Sequence, residues 1–260
     1  MHNITMGLKS MLYDPLKLAE ETAKIVVLGD FRKYYRTARG GQWYGGIATA
    51  DCCGCNLRCV FCWSGAPRDN PQRIGRLYPP EHIFNKLVSC AGKFGYNQLR
   101  VSGNEPTIGK QHLLRLLELI DQTNYNFILE SNGTLIDAEY AKQLSKFRRI
   151  HVRISLKGTN SAEFSLLTKA EEWAFNLQLK ALKNLLDAGV SCHPAVMLSF
   201  SPKKNFAKLK AQLQEIDASL ARNVEEEYVF LYPHVVQRLK NVGIKPITAY
   251  EPDNIPERLI

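Results

Sequence analysis

Short apolar runs alternate with longer segments of helical periodicity between residue 44 and residue 235. This alternation is typical of βα units, whose strands run parallel in one sheet. We expect an α/β fold, a partial (β/α)6 TIM-like barrel, because about six such units follow one another and no internal repeat is visible. The predicted strands span 47–50, 98–101, 126–131, 150–155, 191–198 and 228–231.

The length of 260 residues suits one large core around such a sheet. We expect an N-terminal helical extension over 1–45, a barrel core over 46–235 and a C-terminal tail over 236–260. Gly95 and Gly189 follow helical patterns, which predicts left-handed residues at those helix ends. We see no signal-peptide pattern and no apolar stretch that could span a bilayer, so we expect a cytoplasmic protein with no membrane partner.

The formal net charge of +9 would favour an anionic partner such as RNA. One segment interleaves basic and aromatic side chains: Arg32, Lys33, Tyr34, Tyr35, Arg36, Arg39, Trp43 and Tyr44. Such a segment can form a nucleic-acid surface, or it can be a loop that packs its aromatic rings on the barrel. Both interpretations stay open at this stage.

Four of the seven cysteines lie between residues 52 and 62, too close together to staple a large domain through disulfides. Cys55, Cys59 and Cys62 follow the spacing C-x3-C-x2-C. Three thiolates on one short loop can hold a 4Fe-4S cluster and leave its fourth iron free for another ligand. The alternative is a four-ligand zinc site that recruits Cys52, Cys53 or a histidine.

With Phe61 in the aromatic place, this cysteine pattern resembles the defining motif of the radical S-adenosylmethionine (radical SAM) superfamily. The resemblance implies an iron-sulfur enzyme with two cofactors, a 4Fe-4S cluster and S-adenosylmethionine. It implies reductive cleavage of that cofactor to a 5′-deoxyadenosyl radical, which abstracts hydrogen from a substrate. It also implies an electron donor such as ferredoxin or flavodoxin, and we expect a monomer.

Further motifs follow predicted strands, where barrel active sites lie. Gly103, Asn104 and Glu105 resemble the family's G-G-E-P segment, which implies that this loop and the Glu105 carboxylate accept hydrogen bonds from the methionyl ammonium. Asn104 replaces a glycine, and we expect it to tolerate a left-handed conformation. Glu130 and Ser131 lie in E-S-N-G, similar to a segment of glycyl-radical activating enzymes, which implies contacts to cofactor or substrate.

The next motif, S-L-K-G, is similar to a family segment in which a lysine meets the methionyl carboxylate and a small polar residue meets the ribose. Lys157 and Ser155 occupy those places. Met197 would lie beneath the adenine. Arg153 precedes Ser155 by two residues and shares its face of the strand, so we expect it to point into the barrel and bind a carboxylate of substrate or cofactor. His193 is either a substrate contact or a hydrogen-bonded core histidine.

The sequence does not identify the substrate. Local similarity to glycyl-radical activating enzymes suggests a partner protein, and weaker similarity to radical enzymes that build wyosine-type bases suggests tRNA. A peptide or a small molecule is the third alternative. An interpretation from a different class is a non-catalytic, zinc-bearing module that binds RNA, which the basic charge and the clustered cysteines would both fit.

Overall fold

A computed structural model describes residues 12–259, so residues 1–11 and residue 260 of the expected extensions lie outside it. The helices are α1 (Pro15–Val26), α2 (Gly65–Asp69), α3 (Pro80–Phe94), α4 (Lys110–Asp121), α5 (Ala138–Leu144), α6 (Ser161–Thr168), α7 (Phe175–Asp187), α8 (Lys203–Ile216), α9 (Ala218–Arg222) and α10 (Pro233–Asn241). Short 3₁₀ turns cover Trp43–Gly45, Pro106–Gly109, Glu172–Ala174 and Glu257–Leu259. The strands are β1 (Val27–Leu28), β2 (Phe31–Gly41), β3 (Ile47–Cys52), β4 (Arg76–Tyr78), β5 (Gln98–Ser102), β6 (Asn126–Ser131), β7 (Ile150–Leu156), β8 (Cys192–Met197), β9 (Glu225–Glu227), β10 (Val229–Phe230) and β11 (Ala249–Tyr250).

Six parallel strands form the centre of the molecule, in the order β3-β5-β6-β7-β8-β9. The expected α/β fold with a parallel sheet is therefore confirmed. Buried leucine, isoleucine and alanine side chains of α3, α4 and α7 cover the sheet, as their helical spacing predicts. Gly95 ends α3 in a left-handed conformation at φ 69°, and Gly189 follows α7 at φ 75°.

The predicted sixth strand is wrong in position. It was expected over 228–231, but Glu225–Glu227 pairs with β8, while Val229–Phe230 pairs with Ala249–Tyr250 in a separate two-stranded sheet. Three consecutive glutamates carry no apolar alternation, so hydrophobic periodicity favoured the apolar run that follows them. The strand pairs with β8 through its backbone, and the carboxylates of Glu225 and Glu227 bind Arg153 of β7.

Both extensions contain more structure than the sequence predicted. The helix α1 begins as expected at Pro15, where the Asp14 carboxylate accepts a hydrogen bond from Leu16 N at 2.8 Å. After it, β2 pairs antiparallel with β3, and β1 and β4 pair antiparallel with β2. In the expected tail, α10 spans the predicted boundary at residue 235, and β11 pairs with β10. No helix within residues 12–259 is long and apolar enough to cross a membrane.

Candidate active site

The carboxyl ends of the parallel strands surround a cavity of about 400 Å³. Of the fourteen predicted site residues, all except His193 line it: Cys55, Cys59, Phe61, Cys62, Gly103, Asn104, Glu105, Glu130, Ser131, Arg153, Ser155, Lys157 and Met197. Because parallel strands bring their carboxyl ends to one edge, motifs far apart in sequence meet there. Cys52 and Cys53 are buried and do not belong to this lining.

The three predicted ligand cysteines lie on the loop over residues 53–64, which we call the cysteine loop. Each of their backbone carbonyls accepts a hydrogen bond from a different guanidinium group at 2.6 Å: Arg58 binds Cys55 O, Arg68 binds Cys59 O and Arg238 binds Cys62 O. Arg68 is 4% exposed and also forms a bidentate pair with Asp69. These arginines fix the loop and place positive charge beside the thiols. Sequence reasoning assigned none of them this role.

The thiol groups would not ionise readily by themselves. Burial, the Glu105 carboxylate and Cys59 raise the pKa of Cys55 above its usual value. Burial also raises the pKa of Cys59 to about 11, although Lys157 acts in the opposite direction. A bound metal displaces such protons because it stabilises the thiolate directly. The Cys55 sulfur already accepts hydrogen bonds from Leu57 N at 3.3 Å and Asn132 Nδ2 at 3.8 Å, which suits a thiolate.

The loop after β5 is fastened to the cysteine loop. The Asn104 amide accepts from Gly54 N at 2.8 Å and donates to Ser64 O at 3.0 Å, so it joins the two ends of that loop. Gly103 has φ of 100°, and a Cβ on it would lie 2.9 Å from Cys52 N. Asn104 itself is not left-handed, so the tolerance of asparagine for that conformation is not used here. Its side chain, rather than its backbone freedom, explains why asparagine suits the position.

Glu105 is 1% exposed, and its carboxylate is occupied by the chain itself. Oε1 accepts from Thr107 N, Thr107 Oγ1 and Ser131 Oγ, and Oε2 accepts from Asn132 N at 2.7 Å. The carboxylate therefore joins the carboxyl ends of β5 and β6. With three donors on Oε1, any free acceptor position for a cofactor ammonium belongs to Oε2 or to the loop backbone.

Two side chains that the sequence did not single out complete this part of the site. Asn132 donates through Nδ2 to Asn56 Oδ1 at 2.9 Å as well as to the Cys55 sulfur. Gln178 on α7 donates to the carbonyls of Asn132 and Ser155 at 2.5 and 3.0 Å. Asn132 lies within the E-S-N-G motif, which could have identified it. Gln178 is one polar residue on a buried helix face, and no local pattern marks it.

A charged network forms the other wall of the cavity. Arg153 points into the cavity as predicted, but the carboxylates it binds are those of Glu225 and Glu227, at 2.6 and 2.9 Å. Burial alone would lower the pKa of Arg153, yet these glutamates raise it well above its usual value. Ser155 Oγ donates to Glu227 Oε2 at 2.7 Å and accepts from Lys157 Nζ at 2.5 Å. The misplaced sixth strand is why sequence reasoning missed both glutamates.

Glu130 and His193 occupy different places relative to this network. The Glu130 carboxylate binds Arg100 at 2.8 Å and accepts a hydrogen bond from Ser102 Oγ. Burial would raise the pKa of Glu130, but Arg100 and Arg153 hold it below its usual value. His193 does not line the cavity. It is half-buried and forms hydrogen bonds within the chain, with Glu225 Oε2 at 2.9 Å and with His151 Nε2 at 2.6 Å. Among residues 12–259, no three His, Cys, Asp or Glu side chains converge on a single-ion site.

Comparison with known proteins agrees with the cysteine pattern. The model of the radical SAM superfamily matches residues 51–210. A probable GTP 3′,8-cyclase of Saccharolobus solfataricus is 26% identical over 206 residues, which cover 78% of this chain and 59% of the relative. An Fe-coproporphyrin III synthase of Methanosarcina barkeri is 29% identical over 136 residues, covering 52% and 32%. The chain thus spans about a third to three fifths of these relatives.

Two solved structures share the fold. Streptococcus suis SuiB bound to S-adenosylmethionine superposes with a TM-score of 0.51 at 15% identity, over 67% of this chain and 48% of SuiB. The enzyme anSMEcpe with bound AdoMet gives a TM-score of 0.53 at 20% identity, over 73% and 57%. At such identities the likeness concerns the arrangement of strands and helices, and it leaves the reaction of this chain open.

Proposed function

Since the chain belongs to the radical SAM superfamily, we propose that it cleaves S-adenosylmethionine reductively and uses the product radical to abstract hydrogen from a substrate. Enzymes of this superfamily carry a 4Fe-4S cluster and S-adenosylmethionine. When bound, the cluster supplies the electron that breaks the sulfonium bond to give methionine and a 5′-deoxyadenosyl radical. The observation that carries the proposal is the convergence of Cys55, Cys59 and Cys62 on the cavity that also contains Lys157.

We assign the cluster to Cys55, Cys59 and Cys62. The donor set fits, because three thiols from one loop face one cavity and three arginines hold their carbonyls. Three protein ligands leave one iron open, which is what chelation by an amino acid requires. The buried Asn132 amide, which donates to the Cys55 sulfur, would withdraw electron density from that thiolate.

The methionyl end of S-adenosylmethionine would lie between the cysteine loop and the charged wall. Lys157 Nζ is 3.9 Å from Glu227 and bonds to the neutral Ser155 hydroxyl, so its remaining donors suit a carboxylate ligand. Carbonyls of the loop over 103–105 would accept from the ammonium group. Phe61 and Met197, which line the cavity, supply apolar surface for the adenosyl group and exclude water from it.

An electron must reach this site from outside, so we also propose a low-potential carrier such as ferredoxin or flavodoxin as partner. The substrate is a separate matter. The chain's relatives are named for GTP and for Fe-coproporphyrin III. The partial coverage of those relatives makes any transfer of their substrates a proposal.

Anaerobic reconstitution with iron and sulfide tests the cluster assignment. We expect the wild-type protein to bind iron and sulfide and to gain a broad visible charge-transfer absorption. The variants Cys55→Ala, Cys59→Ala and Cys62→Ala should lose both signals. Cys90→Ala is the matched control, because Cys90 is a free, partly buried thiol on α3 outside the cavity. Zinc in place of iron, or a cluster retained by Cys59→Ala, would contradict the assignment.

A further inference from the structure

The basic and aromatic segment over 32–44 plays no part in the proposed cleavage, and the structure divides it into two sets of residues. Arg32 and Tyr34 are 1% and 2% exposed. The Arg32 guanidinium donates to the carbonyls of Val26, Lys33 and Glu105, and the Tyr34 hydroxyl is bonded to His112. These two side chains are part of the core. They cannot belong to a nucleic-acid surface.

The second set faces the active-site cavity: Arg36, Arg39, Trp43 and Tyr44 all line it. The Trp43 ring stacks on the Phe230 ring, with centroids 6.1 Å apart and planes at 27°. Trp43 precedes β3 and Phe230 follows β9, the first and last of the six parallel strands. The two rings therefore bridge the two ends of the parallel sheet and give the cavity a flat aromatic side. We call Arg36, Arg39, Trp43 and Tyr44 the arginine-aromatic wall.

The wall carries more positive than negative charge. Arg39 forms a bidentate pair with Asp51, at 2.7 and 3.0 Å, whereas Arg36 is 3.9 Å from the same carboxylate. Asp51 is fully buried, and the Arg36 side chain is 55% exposed. One carboxylate thus faces two guanidinium groups, and Arg39 makes the closer, bidentate contact with it. Arg36 keeps donors and charge for an anion at the cavity mouth.

A carboxylate from β9 faces the same cavity. Glu227 accepts from Arg153 through Oε1 and from Ser155 through Oε2. A carboxylate has about four acceptor positions, so Glu227 keeps capacity for a ring N–H donor. An aromatic surface, an exposed guanidinium and nearby acceptors together match a planar ring that carries N–H groups and an attached anion.

We propose that the arginine-aromatic wall binds a nucleoside phosphate as the substrate, with the base stacked at Trp43 and the phosphate at Arg36. A base N–H group then faces Glu227. The site is the part of the cavity of about 400 Å³ that S-adenosylmethionine would leave open, rather than an extended face, which favours one nucleotide over folded RNA. The inference rests on the proposed function, since it assigns the substrate of the same cavity.

Equilibrium dialysis of the reconstituted enzyme tests the inference, with saturating S-adenosylmethionine present and no reductant, so that the adenosyl site is filled and no turnover occurs. The probes are GTP, ATP, guanosine, tripolyphosphate and a tRNA. We expect at least one nucleotide to bind about tenfold or more tightly than both guanosine and tripolyphosphate, because stacking and the charged contact each contribute. Arg36→Gln and Trp43→Leu should each weaken that binding by about tenfold.

The matched control is Arg115→Gln, because Arg115 has a 48% exposed side chain and pairs with Glu81 and Glu118 on a surface away from the cavity. This control should bind the nucleotide like wild type. Equal loss in Arg115→Gln, equal binding of tripolyphosphate, or binding of tRNA without any nucleotide would overturn the proposal. The same dialysis on protein without a cluster separates the two ideas. If the cluster-free protein binds the nucleotide and Arg36→Gln weakens that binding, the nucleotide proposal stands even if no cluster ever assembles. If the enzyme cleaves S-adenosylmethionine but does not bind a nucleotide, only the nucleotide proposal fails.

Discussion

Replacing Asn104 by alanine removes both hydrogen bonds that join the ends of the cysteine loop, at Gly54 N and Ser64 O. Each contributes about 1 kcal/mol net, so the free energy of unfolding should fall by about 2 kcal/mol. Gly54 N keeps the Pro67 carbonyl at 3.2 Å, so no buried donor is left unpaired and the loss stays near that value. If the loss falls on the loop itself, its opened form becomes about 30-fold more populated.

Two measurements follow this change: urea unfolding of the cluster-free protein, and the rate of iron release from the reconstituted protein to a chelator. Asn184→Ala is the matched control, because Asn184 on α7 donates one hydrogen bond, to Ile136 O at 3.0 Å, far along the chain from the cysteine loop. It should lose about 1 kcal/mol of stability with unchanged iron release. Equal rates of iron release from the two variants would refute the view that Asn104 holds the loop.

Three other predictions concern single groups. Lys157→Met should weaken S-adenosylmethionine binding by about tenfold in equilibrium dialysis while iron content stays constant, since it removes a charge-assisted contact; unchanged affinity would remove Lys157 from the site. Asn132→Ala should lower the reduction potential of the cluster in a redox titration, because the Cys55 thiolate loses an N–H donor; an equal or higher potential contradicts this. Burial lowers the pKa of His112 from 6.5 to about 4. The free energy of unfolding should therefore fall by about 3 kcal/mol as the pH falls from 6.5 towards 4, because the histidine protonates first in the unfolded chain. His112→Gln should flatten unfolding free energy against pH in that window, and an unchanged slope would show that another group titrates there.

Much of the fold could be predicted because strand and helix patterns are local. The strand over 126–131 has the predicted bounds, and the strands from 47, 98 and 150 begin where expected. Local pattern failed where long-range contacts decide the structure. Glu225–Glu227 pairs with β8, and its carboxylates bind Arg153 of β7, a contact that no local pattern reveals. The segment β2 is a strand although its charges hide the alternation of buried Arg32 and Tyr34.

The candidate site shows the same division. Motif residues such as Glu105 and Lys157 could be placed at strand ends, and the structure brings them to one cavity. Their distant partners could not be named, because Ser131 and Asn132, which donate to Glu105, and Arg238, which donates to Cys62 O, come from other parts of the chain. From the motif, asparagine at position 104 was only a departure from glycine, and the hydrogen bonds of its side chain show its structural role.

The central claim is that this cavity cleaves S-adenosylmethionine at a cluster held by three cysteines. The most direct measurement is the formation of 5′-deoxyadenosine and methionine by the anaerobically reconstituted enzyme with a low-potential reductant, quantified by mass spectrometry. We predict reductant-dependent formation of both by the wild type and by Cys90→Ala, and none by Cys59→Ala. Absence of 5′-deoxyadenosine from a wild-type protein with a full complement of iron, or equal formation by Cys59→Ala, would contradict the claim.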